Sequence, residues 1–277
     1  MKIATIARNA THSPQMVEQD TAILECIEQE LRAQGHSVTR LDEKDDFCGY
    51  DVICHMSRSR DTLQKIRMAE ERGCRAINSS TSIANCSRTE MIAILQRENI
   101  PQPQYMAVTD EILPQANDLP GWIKKGEGWS QRKEDVAYVT NVEEAKKAVK
   151  EIAGSVIYCR HIVGDVVKFY GVKDKYFAHC YPNPEKTKFG WERINGPAKH
   201  HPFSSEELRA TAFAAAQAIG LDVFGGDCIV TPDGDIYIID INDFPSFSAC
   251  RAEAAEAIAR LIHSKRYNKN NKDERSR

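Results

Sequence analysis

Gly225-Gly226-Asp227-Cys228-Ile229-Val230, the turn Thr231-Pro232-Asp233-Gly234-Asp235 and the run Ile236-Tyr237-Ile238-Ile239-Asp240-Ile241-Asn242 read together as a β-hairpin. Side chains two apart on a strand share a face, so Asp240 and Asn242 point the same way. Pairing Val230 with Tyr237 puts Asp227 opposite Asp240 in the same register, and three oxygen donors then crowd one face. Facing carboxylates repel across a sheet, and a hard cation between them removes that cost. Mg²⁺ bridging nucleotide phosphates fits such a site. The other reading is an ordinary polar face at a sheet end, and a slip of one residue would separate the carboxylates altogether.

The chain has 277 residues, 42% hydrophobic and 28% charged, enough for a substantial core and about one to three compact units. A net charge of −3 offers no global attraction to nucleic acid or to an anionic membrane, so neither is an expected partner. The start, Met1 to Ala7, reads as a strand without the apolar core of a signal peptide. No apolar run approaches the roughly 18 residues of a membrane span, and a soluble cytoplasmic protein is expected. Nine cysteines without a C-x-x-C pair favour neither a disulfide framework nor a zinc site.

The first third alternates strand and helix. Ile3 to Ala7 precedes a helix with Ile23, Leu24, Ile27 and Leu31 on one face, and His36 to Leu41, Asp51 to Cys54 and Arg75 to Asn78 follow as strands. That order predicts an α/β domain with a doubly wound parallel sheet. Ser87 with Glu90 three residues on reads as a capping box opening a helix through Leu95, which Asn99 and Pro101 end. Beyond it the pattern predicts strands at Tyr105 to Val108, Trp122 to Lys125 and Val136 to Val139, a helix at Val142 to Ile152, and a strand at Val156 to Cys159. Strands at Val166 to Val172 and Tyr176 to Tyr181, an alanine-rich helix from Ser205 to Ile219, the hairpin and a closing helix to about Ile262 complete the order. The polar, basic tail from Ser264 reads as disordered.

Taken in order, Asn78-Ser79-Ser80, Ser87-Arg88-Thr89-Glu90-Met91, Asn99-Ile100-Pro101-Gln102-Pro103, Ile123-Lys124, Gly226-Asp227 and Ile239-Asp240-Ile241-Asn242 with Pro245 resemble the ATP-grasp superfamily over residues 1 to about 262. The resemblance implies an N-terminal α/β domain (1–86), a small central α+β domain (87–162) and a C-terminal α+β domain carrying the metal site (163–263), with the basic tail at 264–277. ATP would lie between the last two domains, with Mg²⁺, two ions, held by Asp227, Asp240 and Asn242.

By the same resemblance, Lys124 contacts ATP phosphates, and Arg88 stands where the family usually has another lysine. Tyr158, Cys159, Arg160 and His161 fall where a hinge strand offers backbone groups to adenine, and Asp165 after Gly164 reads as a turn residue. The segment Lys125 to Lys133 is bulkier and more basic than the family's usual glycine- and serine-rich loop. Its Ser130, Gln131, Arg132 and Lys133 are candidates to cover phosphates, or equally a solvated hairpin loop.

Lys186, Lys188, Trp191, Arg193, Asn195, Lys199, His200 and His201 form a positively biased stretch that suggests a small anionic substrate. Arg193 is the first acceptor-site candidate, because its planar fork matches phosphate or acyl phosphate, and Lys168 is the second. Two reactions fit: a carboxylate–amine ligase working through an acyl phosphate, as in the ribosomal-protein glutamate ligase and glutathione synthetase branches, and a small-molecule kinase of the inositol polyphosphate type. A homo-oligomer is left open.

Overall fold

A computed structural model describes residues 1–13, 15–130, 132–183 and 190–274, without the side chains of 191, 192 and 265–274. Gln131, Lys186 and Lys188 therefore lie outside the described residues, as do Arg275 and Arg277. Among the described residues, three four-stranded sheets follow one another along the chain.

The first sheet is parallel, in the order β2 (Ser37–Leu41), β1 (Lys2–Ile6), β3 (Val52–His55), β4 (Arg75–Ile77). Parallel neighbours need crossovers, and α1 (Val17–Ala33) and α2 (Arg60–Glu71) provide two of them. The expected apolar face of α1 is the buried one: Ile23, Leu24, Ile27 and Leu31 are fully covered. No expectation covered α2, whose Ser59 hydroxyl accepts from the Thr62 N–H as an N-cap.

A short helix α3 (Ser80–Ala84) and α4 (Arg88–Arg97) lead to the second sheet. Ser87 is the N-cap of α4 by backbone, yet its side chain makes no cap hydrogen bond, so the expected capping box is not formed. At that helix start the Thr89 N–H bonds instead to the Gly126 carbonyl, and Arg88 reaches over to the Lys125 carbonyl. The second sheet is antiparallel: β5 (Tyr105–Val108), β8 (Val156–Arg160), β6 (Gly121–Lys125), β7 (Val136–Val139), with α5 (Val142–Glu151) packed on one face.

The third sheet, also antiparallel, runs β10 (Tyr176–Cys180), β9 (Asp165–Val172), β11 (Val223–Val230), β12 (Ile236–Asp243), and is backed by α6 (Ser205–Ile219). The closing helix α7 spans Arg251–Glu274, well past Ile262 and through the stretch whose composition reads as disordered. Its first turns bury Ala254, Ala255, Ile258 and Ile262; once nucleated there, the helix extends one hydrogen bond at a time without a second nucleation cost.

One hydrophobic cluster joins the first sheet to the third: Ile3, Ile27, Cys54 and Ile77 share it with Val172, Val223, Phe244, Phe247 and the apolar side of α7. Each such large side chain contributes roughly 1.5–3 kcal/mol on burial. All nine cysteines are free thiols, and burial pushes those of Cys54 and Cys228 up to about 12. No helix among the described residues is long and apolar enough to cross a membrane.

A polar tie complements that core. Buried Asn78, at the end of β4, accepts from the N–H groups of Asp222 (2.9 Å) and Val223 (2.8 Å) and donates to the Val223 carbonyl (2.7 Å). Replacing it leaves the N–H groups of Asp222 and Val223 without that acceptor, and the Val223 carbonyl with only the longer bond from the Phe244 N–H (3.4 Å). Asn78→Ala is expected to destabilise the protein by about 3 kcal/mol, read as a lower denaturant midpoint at unchanged slope. An unchanged midpoint would show that the tie contributes nothing net.

Candidate active site

Asp227 does face Asp240 across β11 and β12, but not by the expected register. Val230 pairs with Ile236 rather than Tyr237. Continued regularly, that register would set Asp227 against Ile239. A β-bulge between Asp227 and Cys228 shifts the pairing by one and restores the two carboxylates to opposite positions. The neighbouring glycine makes room for it: a Cβ on Gly226 would collide with the Asp240 carbonyl and the Phe169 ring.

Lys168 lies opposite Asp227 on the other side, on β9, with its Nζ 2.8 Å from Asp227 Oδ1. The structure thus places this lysine beside the hairpin carboxylate Asp227. Asn242 donates through Nδ2 to Asp240 Oδ2 at 2.9 Å, which leaves its amide oxygen as the donor able to face a cation. Among the described residues no group of three or more His, Cys, Asp or Glu converges. The metal-competent set consists instead of two carboxylates and one amide, all oxygen donors suited to a hard cation.

Opposite the hairpin stands the second sheet, and the cleft between them is lined by Arg88, Lys124, Cys159, Arg160 and His161 together with Asp227 and Asp240. Arg88, the first residue of α4, donates to the Lys125 carbonyl and to Ser130 Oγ (3.2 Å), while its buried Nε–H has no partner. An orphaned guanidinium N–H beside Lys124 suits an anion. The cleft holds about 130 Å³, below the roughly 300–1,000 Å³ of small-molecule sites, so a ligand of that size would enter only as the two sheets or their side chains part. A larger hollow of about 580 Å³ lies by Met1, Phe47 and Arg72 at the first sheet, far from these facing charges.

The hinge residues separate by side-chain direction. Tyr158 turns away from the cleft, with its hydroxyl donating to the Asp118 carbonyl and its ring packed with Val108, Ile123 and Ala145. β8 is paired on both sides, Arg160 N–H bonds to the Gln104 carbonyl and His161 N–H to the Pro120 carbonyl. The backbone donors of 158–161 are therefore consumed inside the fold. His161 accepts from Trp122 Nε1 at 3.2 Å, and burial lowers its pKa, which keeps the ring neutral.

Arg193 sits exposed on a 3₁₀ turn (Trp191–Asn195) and does not line the cleft, whereas Asn195 does. Asn195 Nδ2 ties the turn down to the carbonyls of Ile162 (3.2 Å) and Gly164 (2.9 Å). Asp165 is not a turn residue: it opens β9, is buried, and accepts from the N–H groups of Lys199 (2.7 Å) and His201 (2.8 Å). Arg132 turns to Asp135 at 3.5 Å rather than into the cleft.

Sequence reading missed a second cluster. Asp243, fully buried at the end of β12, is held by Arg58 Nη2 at 2.6 Å and Nε at 2.9 Å, with Arg8 Nη2 at 3.8 Å. Arg8 also donates to the Phe244 carbonyl at 2.7 Å, and burial first, then Arg58, lowers its pKa to about 10. Both arginines follow strands of the first sheet, where open α/β sheets gather functional groups. That position was the available signal.

No family model and no curated protein matches the sequence. Solved structures do match in shape. A RimK-domain ATP-grasp protein from Sphaerobacter thermophilus DSM 20745 superposes with a TM-score of 0.69 at 14% identity, over 94% of this chain and 98% of that one. The chain has the ATP-grasp fold. Two further structures match in shape: D-alanine–D-alanine ligase from Bacillus anthracis (TM-score 0.67, 13% identity, 98% of this chain and 99% of that one) and the ATP-grasp ligase PsnB complexed with precursor peptide PsnA2 and AMPPNP (TM-score 0.64, 16% identity, 95% and 97%).

Two outcomes test this site. Burial opposes ionisation of Asp165, but the Lys199 and His201 N–H groups and the nearby histidines outweigh it and hold its pKa below the usual range. A depressed folded pKa gives stability that is present above the unfolded value, about 3.9, and lost as pH falls through the lower folded value. Asp165→Asn should cost about 2 kcal/mol at pH 7, and the gap to the parent should narrow only below about pH 4; a gap that is constant with pH would contradict the charge argument.

For the Lys168–Asp227 pair, Lys168→Met should cost about 1 kcal/mol, and Lys168→Met with Asp227→Asn should recover most of it. Urea midpoints of the four proteins in chelator decide, and strict additivity would remove the coupling.

Proposed function

We propose that this ATP-grasp chain is an ATP- and Mg²⁺-dependent carboxylate–amine ligase acting through an acyl phosphate. The observation that carries the proposal is that one cleft is walled on one side by two facing carboxylates and on the other by the cations Arg88 and Lys124. Such opposed charge suits a metal-bound polyphosphate. The ATP complex of D-alanine–D-alanine ligase and the AMPPNP and peptide complex of PsnB, both on this fold, support the choice of nucleotide and of reaction.

In this reading Arg88 Nε and Lys124 Nζ hold phosphate oxygens and offset charge as the γ-phosphoryl group transfers. Adenine lies against the neutral ring of His161 and the side chain of Cys159, and its edge meets backbone beyond His161, where Ile162 opens the link to β9. Asp227, Asp240 and Asn242 would hold Mg²⁺, which when bound neutralises phosphate charge as a Lewis acid. Lys168, already 2.8 Å from Asp227 Oδ1, holds that carboxylate fixed in direction. Arg193, on the surface turn tied down by Asn195, serves the anionic acceptor.

ATP with Mg²⁺ should raise the melting temperature in proportion to RT ln(1 + [L]/Kd), roughly 2.7 kcal/mol at a hundredfold excess over Kd. Asp240→Asn should abolish turnover and leave folding intact or slightly improved, since it removes one of two facing charges. Product mass spectrometry with amino acids, peptides and inositol phosphates as acceptors separates the chemistry: an amide with ADP and phosphate supports the ligase, and a phosphorylated acceptor replaces it with a kinase. Full activity of Asp240→Asn would end the metal assignment.

A further inference from the structure

We propose that Arg58 is a positioning residue that seats the 126–130 connection after β6 against the end of β12, so that the phosphate-facing segment and the metal-facing strand share one anchor. The meaning of that seating for catalysis rests on the nucleotide reading above; the seating itself does not.

Arg58 lies in the turn between β3 and α2 and is 8% exposed. Its guanidinium is used twice in two directions. The Nε and Nη2 edge grips Asp243, at 2.9 and 2.6 Å, next to Asn242 and three residues after Asp240. The carbon at its centre sits 4.7 Å from the centroid of the Trp129 ring. A planar delocalised cation can bind a carboxylate in its plane and an aromatic ring against its face at once; an ammonium cannot.

The Trp129 indole N–H is buried without a partner, so hydrogen bonding is not what holds the residue. Its ring contacts are: Arg58 on one side and the edge of His12 with centroids 6.4 Å apart. Both belong to the N-terminal part of the chain, while Trp129 belongs to the segment between β6 and β7. The other side of that segment is pinned by Arg88, through the Lys125 carbonyl and Ser130 Oγ. Residues 125–130 are thus suspended between two arginines, one from the phosphate side of the cleft and one bound to the strand bearing Asp240.

Backbone hydrogen exchange of residues 121–130 tests this directly. Trp129→Ala and Arg58→Lys should each speed exchange there roughly tenfold, while α1 amides keep their protection. Trp129→Phe, which retains a ring face, should restore most of the protection. Because the two residues form one contact, the double variant should exchange no faster than either single.

Multiplication of the two effects, or unchanged exchange in Trp129→Ala, would overturn the proposal. A loss of protection throughout the molecule in every variant would also overturn it, by making Arg58 a stability residue only. Titrating Mg·ATP calorimetrically into the parent and Trp129→Ala separates the two levels. Absence of binding heat in the parent removes the nucleotide reading and leaves the seating to be decided by exchange. Binding several-fold weaker in Trp129→Ala connects the seating to the phosphate cleft; equal binding denies that connection.

Discussion

Asp227 and Asp240 are held face to face on neighbouring strands, an arrangement that costs energy unless something compensates it. Much of the third sheet is arranged around that cost. Lys168 supplies a cation from the opposite neighbour, Asn242 donates a hydrogen bond to Asp240, and Gly226 lets β12 approach closely enough for the pair to form. The bulge at Asp227/Cys228 is the geometric counterpart of the same demand. Without it the regular ladder would have turned an isoleucine to face Asp227, and the cleft would have lost its acidic wall.

The end of β12 serves a second purpose. Asp243 follows Asn242 directly but points into the interior, where two arginines from the first sheet neutralise it. Buried charge of this kind is weak evidence for stability and better evidence for a fixed arrangement. The first sheet therefore does more than cover the third: its strand ends decide where β12 stops. Phe244 and Phe247, both with positive φ, then turn the chain into the shared core and on to α7.

Most elements were legible from periodicity and turn chemistry. β5, β7 and α6 have the expected bounds, because each is a strongly patterned run closed by Gly, Pro or a polar cap. The facing carboxylates were also legible, though for an incomplete reason: a bulge has no signature in residue type, so the hairpin register was off by one at its turn and right at Asp227 and Asp240. What escaped reading was decided by tertiary contact. Lys168 looked like a substrate cation until its strand neighbour was known, Tyr158 looked like a cleft residue until its face was known, and Asp165 reads as a turn residue whose carboxylate in fact binds backbone 34 and 36 residues away. Arg8 and Arg58 lie 185 or more residues from Asp243, and no local pattern marks such a partnership.

Asn78 gives this long-range dependence its most compact form. Its side-chain amide offers one acceptor and one donor to Val223, the same pair of groups that a neighbouring strand would present. One residue at the tip of the first sheet thus impersonates an extra strand for the third. The border between the two sheets carries both a counterfeit rung and a common apolar filling. Severing the polypeptide near residue 86 would give two fragments that each lack half of an interior. Such pieces are suited to complement one another in trans rather than to stand as separate modules.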